Sequence, residues 1–295
     1  MSTAAPKTFE EVDCAFPETL ADALALMADE KTRGRPLAGG TDLMVQWESG
    51  VLPMPQRAIS VKHLPELHTI EASGTDVVLG AAVTHMAIRR SAVVQAGLPS
   101  LVDAAATIGG FQIQTMGTIG GSVANASPAG DLAPSLMITD GQVVVASVRG
   151  ERSIPVTEFW TDYRKTAMQP DEIIVRFVLP KIAAGEHEIW RKLGPRQAQA
   201  ISKVMGSCRG RIVDGVVESF KVAIGSIAAT CIRLRDVEKW IVGQPVNATV
   251  LNELEQKVSS SIHPIADIRS TAEYRRWVTG RMVRGFVEQL AQPAD

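Results

Sequence analysis

Apolar residues recur every three or four positions near the start of the chain, and this spacing predicts a helix with one buried face. Leu20, Ala23, Leu24 and Met27 lie on that face. The predicted helix opens at Pro17 and ends before residue 34. Short strands are predicted after this helix, at residues 35–38 and 58–62. The first part of the chain is therefore predicted to form a small α/β unit.

The pattern then changes to paired strands separated by helices, with Gly or Pro at the predicted turns. A glycine-rich stretch covers residues 109–131, and its part at residues 117–131 shows neither a helical nor a strand period. The predicted elements are, in order, a hairpin of residues 68–72 and 76–80, helices at 84–90 and 99–108, a hairpin of 142–148 and 152–156, and a strand at 172–179.

Pro180 and Gly185 interrupt the pattern, and strands followed by helices are predicted beyond them. We predict strands at residues 189–193, 200–212 and 216–224, then helices at 230–242, 248–261 and 271–290. The predicted fold class is α+β, with a C-terminal three-stranded antiparallel sheet covered by helices. The predicted domains are residues 1–180, with subdomains of about 1–60 and 61–180, and residues 181–295.

Composition narrows the classes of function. Hydrophobic residues make up 45% and charged residues 21%, which is typical of a folded globular protein. The formal net charge of -2 and the 5% of aromatic residues argue against nucleic-acid binding. No apolar run is long enough to span a bilayer, and residues 1–15 do not resemble a secretory signal. We therefore expect a cytoplasmic protein.

The cysteines and histidines do not predict a disulfide framework or a metal site. The three cysteines, Cys14, Cys208 and Cys231, are scattered, and buried free thiols are expected. The five histidines show no ligand spacing, so no metal is predicted in this chain.

The first candidate binding segment directly follows a predicted strand and comprises Ala38, Gly39, Gly40, Thr41 and Asp42. Paired glycines let backbone N–H groups approach an anion closely. The segment lacks the Gly-Lys-Ser/Thr of a Walker A loop and the third spaced glycine of a Rossmann fingerprint. A tight strand-to-helix turn without a ligand is the alternative interpretation.

The second candidate segment is residues 117–131, the C-terminal part of the glycine-rich stretch. A loop of this length inside a compact domain is uncommon unless it binds something. Backbone amides between Thr118 and Ser122, aided by hydroxyl groups, could hold a diphosphate without a lysine. A long glycine-rich connector is the alternative. Two glycine segments together suit an extended dinucleotide that lies between domains.

These segments resemble the two FAD loops of the medium subunits of molybdenum hydroxylases, the family of carbon monoxide, bacterial xanthine, quinoline and nicotine dehydrogenases. Residues 194–203 and 267–275 resemble later signatures of the same family. The resemblance covers essentially the whole chain. It implies a two-subdomain FAD-binding module of the vanillyl-alcohol-oxidase-like type, followed by an α+β domain.

The resemblance also implies roles for individual residues. Residues 38–42 and 118–122 would hold the FAD diphosphate, Asn125 would lie beside them, and Asp131 would lie near the ribityl or adenosine portion. Ile174, Arg196 and Lys203 would border the isoalloxazine ring. The implied cofactor-binding set is Ala38, Gly39, Gly40, Thr41, Asp42, Ile108, Gly117, Thr118, Ile119, Gly120, Gly121, Ser122, Asn125, Asp131, Ile174, Arg196 and Lys203.

Two positions depart from the family pattern. Relatives often carry a basic Arg-Asn-Arg-like stretch before the second loop, where this chain has Gln114, Thr115 and Met116. Ile108 stands where vertebrate xanthine oxidoreductases stack a phenylalanine on the flavin. The stacking partner of the ring is therefore left open by the sequence.

The implied function is electron transfer inside a larger complex. A molybdenum-cofactor subunit would hydroxylate substrate, and a two-iron two-sulfur subunit would pass electrons to FAD in this chain, most simply in a doubled heterotrimer. NAD, a quinone or oxygen could be the external acceptor, and no catalytic acid or nucleophile is predicted here. A self-contained FAD oxidase or reductase and a non-redox phosphate-binding module are the alternatives.

Overall fold

The computed structural model describes residues 12–31, 33–196 and 199–292, so the predictions for residues 1–11 and for residues 197 and 198 lie outside it. The N-terminal unit contains β1 (Asp13–Ala15), α1 (Leu20–Ala28), β2 (Arg35–Leu37), α2 (Leu43–Glu48) and β3 (Arg57–Ser60). Its three strands form a parallel sheet in the order β1-β3-β2. A capping box between Thr19 and Asp22 starts α1, and Ala23 and Met27 are buried, which confirms the predicted helix face.

The central region is built on a five-stranded sheet, in which every paired strand is antiparallel to its neighbour. Its strand order is β4-β5-β10-β6-β7. The elements are β4 (Ile70–Ser73), β5 (Asp76–Gly80), α3 (His85–Arg90), α4 (Ala92–Gly97), α5 (Pro99–Ala106), α6 (Phe111–Met116), α7 (Ile119–Ala124), α8 (Ala133–Met137), β6 (Gln142–Ser147), β7 (Gly150–Pro155), α9 (Val156–Phe159), β8 (Trp160–Asp162), β9 (Lys165–Thr166) and β10 (Ile173–Pro180).

The glycine-rich stretch is not free of regular structure, because it contains α6 and α7. Ile119 and Val123 are four residues apart and both are buried, so one face of α7 packs into the core. The Thr118 side chain accepts a hydrogen bond from the Gly121 N–H and caps this helix. Each helix is only six residues long, which is too short for a periodic pattern to emerge from the sequence.

The C-terminal sheet has four strands, so the prediction of three was wrong. Its order is β11 (His187–Leu193), β12 (Val204–Val213), β13 (Val216–Gly225) and β14 (Ile232–Arg233), and α10 (Arg235–Ile241), α11 (Ala248–Ser261) and α12 (Ala272–Leu290) follow. A helix was predicted at residues 230–242, but Ile232 and Arg233 pair with β13. The Arg233 guanidinium is held by Glu238 and Asp140, which fixes the chain in an extended form before α10 begins.

Buried charges join the C-terminal sheet to the helices of the central region. Glu188 on β11 pairs with Arg209 on β12 at 2.6 Å, and both side chains are almost fully buried. The same carboxylate accepts hydrogen bonds from the backbone N–H and the hydroxyl of Ser100 in the first turn of α5. The buried Glu188 carboxylate therefore connects α5 to the C-terminal sheet through its hydrogen bonds with Ser100 and its ion pair with Arg209.

The free thiols follow the predicted pattern at two of three positions. Cys208 and Cys231 are buried, and desolvation raises the pKa of each thiol. Cys14 is exposed, so the prediction of a buried thiol there was wrong. Within the described ranges, no helix combines the length and the apolar character needed to cross a bilayer.

Candidate functional site

A cleft of about 1690 Å³ opens between the glycine segments and the C-terminal region. Sites for drug-sized ligands occupy roughly 300–1,000 Å³, so this cleft has room for a larger, extended molecule. Fourteen of the predicted cofactor-binding residues line it: Ala38, Gly39, Gly40, Thr41, Asp42, Ile108, Gly117, Thr118, Gly120, Gly121, Ser122, Asn125, Asp131 and Ile174.

The other three predicted residues do not line the cleft. Ile119 is fully buried in the hydrophobic core. The Arg196 guanidinium donates to the backbone oxygen of Gln199. The Lys203 ammonium lies 5.5 Å from the centre of the Tyr274 ring.

The first glycine segment presents unfilled backbone donors. The N–H groups of Gly39, Gly40, Thr41 and Asp42 donate to no acceptor among residues 12–31, 33–196 and 199–292. A Cβ atom on Gly39 would lie 2.0 Å from the backbone oxygen of Met116, so the two glycine segments pack backbone against backbone. Consecutive free amides of this kind form a concave donor set for an anion.

The second glycine segment differs from the prediction, since most of its amides are already used. The N–H groups of Ile119 and Gly120 donate to the backbone oxygens of Val83 and Ala81 at 2.9 Å. A Cβ on Gly120 would lie 2.7 Å from the Ala81 oxygen, so this glycine is required by packing against β5 and its continuation. A substitution at Gly120 would therefore test packing rather than ligand binding.

A side-chain network joins the two segments, and the sequence did not reveal it. The buried Gln46 side chain, on α2, donates to the Asp42 carboxylate and, at 3.1 Å, to Asn125 Oδ1. Arg164 Nη1 donates to Gln46 Oε1 at 3.1 Å and to Asn125 Oδ1 at 3.2 Å. The contact between Asp42 and Gln46 could have been predicted from their four-residue spacing at the start of a helix. The contacts of Arg164 with Gln46 and Asn125 could not be predicted from any spacing in the sequence.

Asp131 lines the cleft, and its carboxylate is held by two residues of the C-terminal region. Its carboxylate pairs with the Lys192 ammonium at 2.6 Å and accepts a hydrogen bond from Ser202 at 2.9 Å. Burial raises the pKa of the Asp131 carboxyl above its ordinary value, and Lys192 and Ser202 oppose that rise. Helix α8 has no side-chain cap, because its N-cap residue is Leu132.

His85, at the start of α3, lies beneath the second glycine segment and lines the cleft. A Cβ on Gly117 would lie 3.1 Å from its ring. Its Nδ1 atom is buried and has no hydrogen-bond partner among the described residues. Burial lowers the pKa of His85 from 6.5 to about 4, so the ring is neutral at physiological pH.

We expect His85 to make the protein less stable in mild acid. Between pH 6.5 and 4 the unfolded chain binds a proton that the folded chain excludes, so the free energy of unfolding falls as the pH is lowered through this window. His85 should account for a loss of about 2 kcal/mol between pH 7.5 and pH 5. Urea unfolding of His85→Gln at both pH values should show a correspondingly smaller loss.

His187→Gln, which alters an exposed histidine on β11, is the matched control and should keep the wild-type pH dependence. An equal loss in His85→Gln and wild type would show that His85 titrates alike in the folded and unfolded states.

Two family models match the chain. The FAD-binding domain in molybdopterin dehydrogenase matches residues 8–182, and the C-terminal domain of the CO dehydrogenase flavoprotein matches residues 190–290. The chain is 29% identical to the glyceraldehyde dehydrogenase medium chain of Sulfolobus acidocaldarius over 93% of this chain and 96% of the relative. It is 27% identical to the carbon monoxide dehydrogenase medium chain of Afipia carboxidovorans, over 92% and 94%.

Solved structures show the same architecture. A chain of reconstituted CO dehydrogenase from Oligotropha carboxidovorans superposes with a TM-score of 0.90 at 26% identity, covering 97% of this chain and 99% of that one. A chain of quinoline 2-oxidoreductase from Pseudomonas putida 86 gives 0.89 at 20% identity, with 99% of both chains covered, and shares the fold. Because the FAD-domain model alone spans more than half of the sequence, the chain belongs to the FAD-binding medium subunits of molybdenum hydroxylases.

Proposed function

We propose that this chain binds FAD noncovalently and acts as the electron-transfer subunit of a heteromeric molybdenum hydroxylase. The observation that carries the proposal is the set of four unfilled backbone N–H groups at residues 39–42, which faces a cleft large enough for a dinucleotide. A diphosphate would fill these donors with charge-assisted hydrogen bonds. The residues present therefore fit the cofactor.

The proposed contacts follow the family resemblance. Residues 38–42, together with Thr118 and Asn125, would hold the diphosphate, and Asp131 would face the ribityl or adenosine portion. Ile108 and Ile174 would border the ring, and Arg196 and Lys203 are retained as proposed neighbours of it. Bound FAD accepts electrons singly and can release them as a pair. The chain's own contribution is to bind and orient the cofactor and to exclude water from it.

The partners are proposed from the same relationship. Both relatives named above are called medium chains, which supports assembly with other chains. We propose an iron–sulfur small subunit as the electron donor, a molybdenum large subunit, a doubled heterotrimer, and an external acceptor in the cytoplasm. Within this chain we propose an FAD-binding domain of residues 1–180, divided near residue 60, and a C-terminal domain of residues 181–295.

Absorption spectroscopy and native mass spectrometry test the proposal. The purified chain should show flavin absorption at close to one FAD per chain, and heat denaturation should release all of it into solution. Purification from the native source should yield two further subunit types in equal number. A flavin-free protein, or a monomer that oxidises a substrate unaided, would contradict the proposal.

A further inference from the structure

Arg164 lies at the tip of the hairpin formed by β8 and β9, and its side chain lines the cleft. Its backbone has a φ of 52°, in the left-handed region that residues with a Cβ rarely adopt. Asp162 pairs with Lys165, so Arg164 is the second residue of the two-residue turn of this hairpin. The turn brings the Arg164 side chain to Gln46 on α2 and to Asn125 at the end of α7.

One edge of the Arg164 guanidinium is anchored by neutral groups. Nη1 donates to both Gln46 Oε1 and Asn125 Oδ1. The Gln46 amide nitrogen is occupied by Asp42 and Asn125, so its oxygen is directed at Arg164. Both acceptors are amides, which fix the direction of the guanidinium without neutralising its charge.

The other edge is free. Within the described part of the chain, Arg164 Nε and Nη2 donate to no acceptor, and no carboxylate lies within 4.0 Å of the guanidinium. Two other cleft arginines, Arg269 and Arg275, both pair with Asp267. Arg33, which also lines the cleft, donates to the Met27 backbone oxygen, and Arg35 is an exposed cleft residue on β2. An anchored guanidinium with an open Nε–Nη2 edge matches the paired oxygens of a phosphate group.

We propose that Arg164 is a cation that recognises the diphosphate of the bound dinucleotide. The inference rests on the proposed FAD function. The open edge and the free amides of residues 39–42 would complement the diphosphate from two directions, and Gln46 and Asn125 orient the guanidinium before the ligand arrives. Because Arg164 acts at the diphosphate, its charge contributes to affinity and leaves the electronic state of the flavin ring unchanged.

The test is FAD titration of the full-length apoprotein by fluorescence quenching, with wild type, Arg164→Gln and Arg164→Lys. We expect Arg164→Gln to weaken FAD binding about 10- to 100-fold. The affinity of wild type for FAD should fall more steeply with KCl than that of Arg164→Gln. Salt screens the attraction between the Arg164 charge and the diphosphate, and the variant lacks that charge. Arg164→Lys should restore the salt dependence and only part of the affinity, since an ammonium lacks the two-pronged geometry.

Lys165→Gln, on the same hairpin, is the matched control, because Lys165 is exposed and pairs with Asp162. It should bind FAD like wild type. The visible spectrum of bound flavin should be the same in wild type and Arg164→Gln, and thermal unfolding should show that both apoproteins are fully folded at the temperature of the titration.

The outcomes separate the inference from the proposed function. If wild type binds no FAD, the proposed function itself fails. If wild type binds FAD and Arg164→Gln binds it equally well, only the assignment of Arg164 is overturned. Weaker binding with an unchanged salt dependence would also overturn it, since a brace between loops would then explain the effect. A shifted flavin spectrum would overturn it as well, because it would indicate a contact with the ring.

Discussion

Replacing Gly39 with alanine is expected to leave the purified protein without flavin, with FAD affinity reduced at least about 100-fold. The new Cβ would lie 2.0 Å from the Met116 backbone oxygen, whereas real Cβ atoms essentially never approach a heavy atom more closely than 3.0 Å. The two glycine segments must therefore move apart by about 1 Å, which displaces the free amides of residues 39–42 from the positions a diphosphate needs. Flavin absorbance per chain after gel filtration measures the effect.

Gly285→Ala is the control for this substitution, because a Cβ at this position in α12 meets nothing within 4 Å. It should retain full flavin. Gly40→Ala supplies a second variant if Gly39→Ala fails to fold. Gly40 has a φ of 69°, and its Cβ would lie 3.2 Å from the flexible Met44 side chain and 3.6 Å from Leu37 Cδ1. Stoichiometric FAD in both folded variants would remove the first glycine segment from the diphosphate site.

Arg209→Met is expected to lower the free energy of unfolding by about 3–5 kcal/mol, because it leaves the buried Glu188 carboxylate without its counter-charge. The same substitution removes donors from the backbone oxygens of Pro180 and Lys181, where the central sheet passes into the C-terminal region. Urea unfolding at pH 7.5, followed by circular dichroism, measures the loss.

Arg211→Met is the matched control, since it lies on the same strand and pairs with Glu218 where both side chains are about half exposed. Exposed pairs contribute up to about 1 kcal/mol, so this variant should be close to wild type. Combining Arg209→Met with Glu188→Met should recover part of the loss, because no unpaired charge then remains buried. A cost for Arg209→Met no greater than that for Arg211→Met would show that this ion pair does not hold the two regions together.

The long helices could be predicted from the sequence because their signals are local. Helix α11 was predicted at its observed bounds, and α12 begins one residue later than predicted because Thr271 is its cap. Apolar spacing and capping residues lie within one or two turns of each other, so they can be read without tertiary information.

The short elements could not be predicted in this way. Helices α6 and α7 are stabilised by packing against the central core, and β14 exists because Ile232 and Arg233 pair with β13. Such elements depend on contacts made elsewhere in the chain, which override the weak local preference of a few residues.

The sequence by itself determined the family, the α+β class and the two glycine segments, because each is carried by residues adjacent in the chain. Only the tertiary structure decided which backbone amides of those segments are free. The N–H groups of Ile119 and Gly120 are not free, because they donate to the backbone oxygens of Val83 and Ala81. It also brought Arg164 to Gln46 and Asn125, which are 118 and 39 positions away in sequence. Charge partners at such separations are set by how the sheets pack, and no spacing rule along the chain encodes them.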